Sequence, residues 1–300
     1  MKNYNLAISF QWIFDIDFIE MTENIFQQDG LTTFIIGKYN ITEVTEDIRN
    51  RKISFDFYLD RASDVDSDFE PLVKLLEKRK TYLINPYSKV KKAIVKSEMH
   101  DRLIAQGHSV PDTIILKPFD HTPILPLSNE DLSNIGIPFV IKPSFYTGGG
   151  DGVVVDAQSL HQVHEARLQF TDDHFLVQRK IFPKIFNGRR AWFRVFYAFG
   201  KVIPVWWDDT THIYHSFKPH EIKELKLDQL QKIVSKIAKI VDLDYFSTEI
   251  ALTENDEFIL IDYVNDQCDM RLKKHHYDGV PDDVVQKFIL SMKSFIKKHQ

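Results

Sequence analysis

Lys142 ends an apolar run and is followed by Pro143 and a loop carrying four glycines, within the segment FVIKPSFYTGGGDGVVV at 139–155. A lysine closing a buried strand is costly unless an anion pairs with it. The glycines at 148, 149, 150 and 152 admit two readings. One is a hairpin connection that needs positive φ, and the glycines alone favour it. The other is a flap whose backbone N–H groups close over phosphates, since a chain without side chains can approach an anion closely. The neighbouring lysine favours the flap. A P-loop is excluded, because G-x-x-x-x-G-K-[ST] is absent and the loop runs into a strand instead of a helix.

Carboxylates supply the second set. Glu249 lies in FSTEIAL (246–252), on the face opposite Phe246, Thr248 and Ile250, while Asp262 and Asn265 close the apolar run of EFILIDYVN (257–265). They are either acids of an exposed edge strand or a cation site, and burial among apolar neighbours favours the cation. Mg²⁺ takes oxygen ligands from one or two carboxylates and completes its shell with phosphates. Positions three apart on a regular strand face opposite sides, so Asp262 and Asn265 can serve one ion only where the strand bulges or ends between them. The expectation is a bulge. No Ser/His/Asp or Cys/His pattern stands out.

The elements that hold these residues fall into two styles. Before residue 90, LAISF (6–10), TTFII (32–36), FDFYL (55–59) and TYLI (81–84) read as strands around a helix at 69–80 with Asp68 as its N-cap, a small α/β domain. Beyond it, a helix over 96–107 ends at Gly107. Strands follow at 113–116, 138–142, 152–156 and 174–178, with a helix at 159–170 between the last two. A hairpin over 191–207 turns at Gly200-Lys201, and a helix over 225–241 carries Leu227, Leu230, Ile233, Val234, Ile237 and Val241 on one face. Two strands joined by the turn TEND and a last helix from Asp282 close the chain. The whole reads as α/β plus α+β. At 300 residues there is room for two or three units, at about 100–200 residues each.

Composition narrows the function. A net charge of -5 argues against a general nucleic-acid binder. The single cysteine, Cys268, rules out an internal disulfide and fits a reducing cytoplasm. No stretch approaches the ~20 apolar residues of a membrane span, and LAISFQWIFDIDFI is interrupted by Asp15 and Asp17 with no cleavage site after it.

In this order the segments resemble the ATP-grasp superfamily over roughly 90–270. The lysine-proline strand, glycine loop and returning strand match closely. An earlier lysine, Lys96, stands ahead of Gly107, Pro111 and Thr113 with the spacing of the family's first phosphate lysine. The resemblance implies that Lys96 and Lys142 hold ATP phosphates under Gly148, Gly149 and Gly150. It implies that FLVQRKI (175–181) carries the adenine, Gln178 meeting the amino group while Arg179 and Ile181 give backbone groups and packing. Arg194 matches the arginine of the following hairpin, although Trp192 stands where the family places an acid for the ribose. Glu249 and Asn265 match the metal strands; Asp262 lies three residues before Asn265 instead of two, and Tyr263 occupies the expected acid position. The family's Pro-Gly after the asparagine is replaced by DQCDMR, whose Arg271 would meet an anionic substrate group.

The function implied is a carboxylate–amine or carboxylate–thiol ligase using ATP and two Mg²⁺ ions, with Mn²⁺ as a substitute. The three parts would be an N-terminal α/β domain (1–90), a small nucleotide lid (91–175) and a C-terminal catalytic domain (176–300). A small-molecule kinase, with Arg189, Arg190, Arg271, Lys273 and Lys274 around its acceptor, and an ATP-binding protein without turnover are the alternatives. The partner expected is a small molecule or peptide, with no nucleic acid and no membrane; a homodimer is left open. WWDDTTHIYH (206–215) reads as a loop lining a cleft, KKHH (273–276) as an exposed basic turn, and Arg61 with Asp64 as either a carboxylate grip or an internal ion pair.

Overall fold

The computed structural model describes residues 1–146 and 150–300. Gly148 and Gly149 lie outside the described residues. The first stretch runs β1 (Lys2–Phe10), α1 (Ile16–Gln27), β2 (Thr33–Ile36), α2 (Ile41–Arg49), β3 (Ile53–Arg61), α3 (Glu70–Glu77), β4 (Tyr82–Ile84) and α4 (Tyr87–Ala93). Next come α5 (Lys96–Ala105), β5 (Thr113–Leu116), α6 (Asn129–Ile135), β6 (Phe139–Pro143), β7 (Val154–Ala157), α7 (Leu160–Gln169), β8 (Phe175–Arg179), β9 (Ile185–Phe186), β10 (Arg189–Arg190) and β11 (Trp192–Ala198). The chain ends with β12 (Lys201–Trp207), β13 (Tyr214–His215), α8 (Pro219–Glu224), α9 (Asp228–Val241), β14 (Tyr245–Leu252), β15 (Phe258–Asn265) and α10 (Asp282–Lys298). Among the described residues no helix is long and apolar enough to cross a membrane.

The chain divides into two compact units. One comprises Met1–Lys89, Val195–Phe246 and Asp266–Gln300; the other, Val90–Arg194 and Ser247–Asn265. In the first, a parallel sheet of order β2-β1-β3-β4 is covered on both faces, which is why Leu6, Ala7 and Ile8 are all fully buried in succession. Ala7, Phe55 and Tyr58 pack with α2 and α3 through Val44, Ile48, Leu72 and Leu76. In the same unit Phe18 of α1 packs edge-on against Phe288 of α10, and Phe57 against Phe295. The turn between β11 and β12 falls at Phe199-Gly200, one residue earlier than expected, with φ of 50° and 94°. Positive φ at both central residues is what a tight hairpin needs, and the rings of Tyr245, Phe288 and Phe295 hold Phe199 there.

In the second unit an antiparallel sheet of order β5-β8-β6-β7 has two unlike faces. Phe139, Ile141, Phe175 and Val177 point into a core with Leu132 and Ile135 of α6 and Val163 and Ala166 of α7. The alternate residues form the other face, where Lys142 lies. Gly152 has φ of 69°, and a Cβ there would come within 2.5 Å of the Phe170 ring and 2.9 Å of Pro143 Cγ. Gly152→Ala is therefore expected to destabilise the protein by about 1–3 kcal/mol through strain and overpacking together. Urea unfolding checks it; a midpoint equal to that of the native chain would refute the close approach.

Candidate active site

Register decides which side chains meet. On β6 and β8, Lys142 is opposite Leu176 and Val140 is opposite Gln178, while Thr113 of β5 flanks Gln178 on its other side. Side chains two apart share a face, so Lys142, Gln178 and Thr113 lie on the face turned away from the Phe139–Val177 core. The N-terminus of α5 is tied to the exit of β6. Lys96 N donates to Ser144 O at 3.0 Å and Ser97 N to Ser144 Oγ at 2.9 Å. Those bonds set Lys96 beside the end of Lys142's strand.

The hairpin of β14 and β15 contributes the acids. Ser247 pairs with Asn265, Glu249 with Asp262 and Ile250 with Leu260, with register shifts on either side of Glu249. Between the first two pairs β14 advances by two residues and β15 by three, so alternation breaks between Asp262 and Asn265, the bulge that a shared face requires. Glu249 and Asp262 stand directly opposite each other. Asn265, opposite Ser247, shares their face because Ser247 and Glu249 are two apart. The second shift makes Ile261 the extra residue, and its carbonyl accepts from Lys142 Nζ at 2.8 Å.

Three cations and two carboxylates converge here. Lys96 Nζ approaches Asp262 Oδ1 at 3.3 Å, and Arg194 Nη2 meets Glu249 Oε1 at 2.6 Å. Trp192 Nε1 donates to the other oxygen of Glu249 at 3.1 Å. Lys142 is 6% exposed, and burial, joined by repulsion from Lys96, pushes it down to about 8 despite the attraction of Asp262 and Glu249. Burial would raise the Asp262 carboxyl, but Lys96, Lys142 and Arg194 outweigh it and hold it below its ordinary value. A buried charge is tolerated only when paired, and here every charge has an opposite neighbour.

The residues fit a divalent cation. Asp262 Oδ1 is buried, and Lys96 Nζ stands 3.3 Å from it as an ion pair without hydrogen-bond alignment. Among the described residues no three His, Cys, Asp or Glu side chains form a cage of their own. Two carboxylates and an amide on one face are a set that Mg²⁺ completes with phosphate and water oxygens.

Sequence reasoning missed the polar group behind this cluster. Tyr263 is 1% exposed; its hydroxyl lies 2.6 Å from His100 Nδ1 and accepts from Gln178 Nε2 at 3.1 Å. Gln178 Nε2 also donates to Thr113 Oγ1 at 2.9 Å. Burial and the Lys142 charge lower the His100 pKa, against the pull of Asp101. One available signal was the i, i+4 spacing that puts His100 on the Lys96 side of α5.

The Arg179 side chain turns to Asp112 at 2.8 Å and to the Ile135 and Asn134 carbonyls, and Ile181 is half-buried. Arg271 belongs to the first unit, where Asp269 and Asp278 both pair with it and Trp12 lies under it. Arg61 forms an internal ion pair, but with Asp15 and not Asp64; the pair is buried, and Arg61 Nη2 also donates to the Cys268 carbonyl. In the 206–215 loop Asp208 accepts from the backbone of Thr210 and Thr211, and His212 stacks on Trp207. In the 273–276 turn Lys273 is not free: it donates to the Tyr214 and Tyr277 carbonyls.

No family model and no curated protein matches the sequence. Solved structures do match in shape. A D-alanine–D-alanine ligase from Bacillus anthracis complexed with ATP is 16% identical with a TM-score of 0.60, covering 98% of this chain and 99% of that one. The macrocyclase MdnC from Microcystis aeruginosa, bound with precursor peptide MdnA, is 12% identical with a TM-score of 0.63 over 99% of this chain and 100% of its own. The ATP-grasp ligase PsnB, complexed with precursor peptide PsnA2 and AMPPNP, is 10% identical with a TM-score of 0.62, covering 98% of both chains. Matching ATP-grasp ligases in shape over nearly the full length of both chains, this chain has the ATP-grasp fold.

Proposed function

We propose that this protein is an ATP- and Mg²⁺-dependent ligase that joins a carboxylate to an amine or thiol. The observation that carries the reading is the convergence of Lys96, Lys142 and Arg194 on Glu249 and Asp262 within one compact unit. A carboxylate oxygen takes the γ-phosphoryl group of ATP and ADP leaves. The amine or thiol then attacks the acyl carbon, loses its proton, and inorganic phosphate departs. Lys96 and Lys142 hold the phosphates beneath the glycine flap, and Arg194 steadies the charge that develops during transfer. Gln178, with the backbone of Arg179 and the side chain of Ile181, holds the adenine. Glu249, Asp262 and Asn265 would hold Mg²⁺, which supplies charge neutralisation for the triphosphate. Functional domains at 1–90, 91–175 and 176–300 and a cytoplasmic location belong to the same proposal.

One observation favours a second reading, an ATP-binding protein without turnover. Both oxygens of Glu249 are engaged, by Arg194 and by Trp192. The test is incubation with ATP, Mg²⁺ and panels of carboxylic acids, peptides, amines and thiols; peptides enter because MdnC and PsnB were captured with peptides. Release of inorganic phosphate only when both co-substrates are present, with a condensed product by mass, is expected. Phosphate retained on one acceptor would mean a kinase. ATP binding without ADP formation across the panel would leave the second reading.

A further inference from the structure

Tyr263 stands where the family resemblance places an acid, yet it is buried and hydrogen-bonded at both ends of its hydroxyl. Its oxygen accepts from Gln178 Nε2, which leaves its own proton for His100 Nδ1, an acceptor in the neutral Nε2–H tautomer. Thr113 Oγ1 takes the other Nε2 hydrogen. Both amide donors of Gln178 are thereby spent. Among the described residues nothing donates to its Oε1.

We infer that Tyr263 is a positioning residue that fixes the Gln178 amide and thereby sets base selectivity, so that the site offers an acceptor and no donor to the base. The inference rests on the nucleotide reading proposed above. An acceptor suits the exocyclic amino group of adenine and repels the carbonyl oxygen of guanine. An amide free to turn over would serve either base, because its two ends are a donor and an acceptor of nearly the same shape. The neighbouring elements disfavour the turned amide. With Nε2 swapped for oxygen, Gln178 could accept from the hydroxyl of Tyr263 only if that proton left His100, and the Thr113 hydroxyl already donates to the Pro111 carbonyl at 2.8 Å.

The experiment measures dissociation constants for ATP and GTP, each with Mg²⁺, on the full chain by calorimetry. The native protein is expected to prefer ATP, and Tyr263→Phe to reduce the ATP-to-GTP preference by about 10-fold, as loss of a buried hydrogen-bond partner allows. Loss of packing alone would weaken both nucleotides together and leave the ratio in place. Gln178→Glu added to Tyr263→Phe should restore the preference, since a carboxylate has no donor end to present. Thr113→Val removes the other acceptor without touching Tyr263 and should shift the ratio in the same direction, which keeps the test available if Tyr263→Phe fails to fold. An unchanged ratio in a folded variant that still binds ATP overturns the inference and leaves the nucleotide reading standing. A native chain that binds neither nucleotide overturns the reading itself, and this inference with it.

Discussion

Lys142→Met is expected to weaken ATP binding by roughly 10- to 150-fold, the range that follows from losing one charge-assisted contact of about 1.5–3 kcal/mol. The same substitution should change how stability depends on pH. The native lysine titrates at about 8, against 10.5 for an ordinary lysine, because burial penalises its charged form. Between those two pH values the unfolded chain holds more protons than the folded one, so native stability rises with pH across that window. Below about 8 both states carry the proton and the cost is present in full, on the order of a few kcal/mol. The variant lacks this group and lacks the rise. Calorimetry with ATP and Mg²⁺ reads the first effect, and melts of both proteins between pH 7 and 10.5 read the second. Undiminished ATP affinity would remove Lys142 from the phosphate site. A constant difference in melting temperature across the window would show that its ammonium is not desolvated.

Much of this site is legible in the sequence because its residues break a pattern. A lysine after Val140-Ile141 and a carboxylate after Leu260-Ile261 interrupt apolar runs, and interruption of a buried run signals a paired charge. The spacing of Asp262 and Asn265 is likewise enough to demand a bulge, and the register shift at that place supplies it. Tyr263 carries no such signal. A tyrosine within an apolar strand reads as core, and only the meeting of three other elements shows that its hydroxyl organises Gln178 and His100. Trp192 is hidden for the same reason, since its donation to Glu249 depends on which strand lies beside it.

The fold shows the same division. The β14–β15 hairpin and the apolar stripe of α9 are local patterns, and they stand where periodicity puts them. Helix α1 is obscured because β1 runs almost directly into it, so that residues 6–19 read as one apolar stretch; its buried Phe18, Thr22 and Phe26 recur at i, i+4 and i+8. At α3 the expected cap, Asp68, is displaced. A 3-10 turn over Ser67–Phe69 precedes the helix, and Asp66 caps that turn by accepting from Asp68 N. Acidic residues at 64, 66 and 68 make such a shift invisible to spacing alone.

Glu249→Gln is expected to fold as the native chain does and to lose Mg²⁺-dependent turnover by roughly 100- to 1,000-fold, the scale on which removal of one preorganised electrostatic group acts. The fold should survive because the shape is kept and one amide oxygen can still accept from Trp192 or Arg194. It cannot accept from both as the carboxylate does, and its NH₂ end faces a guanidinium or an indole N–H that also donates. What disappears is the negative charge. Asp262 then stands as the only carboxylate of the hairpin on the face shared with Asn265, and one anionic ligand fewer weakens a hard cation. Titration of Mn²⁺ followed by its paramagnetic resonance signal measures this without any turnover, and Asp262→Asn serves as the companion variant. The two substitutions should weaken Mn²⁺ comparably if the bulge truly brings both acids to one ion. Weakening by Asp262→Asn alone would reduce Glu249 to a counter-ion for Arg194. Full turnover by Glu249→Gln at limiting Mg²⁺ would make it a bystander, and the ligand set would then have to be built from Asp262 and Asn265.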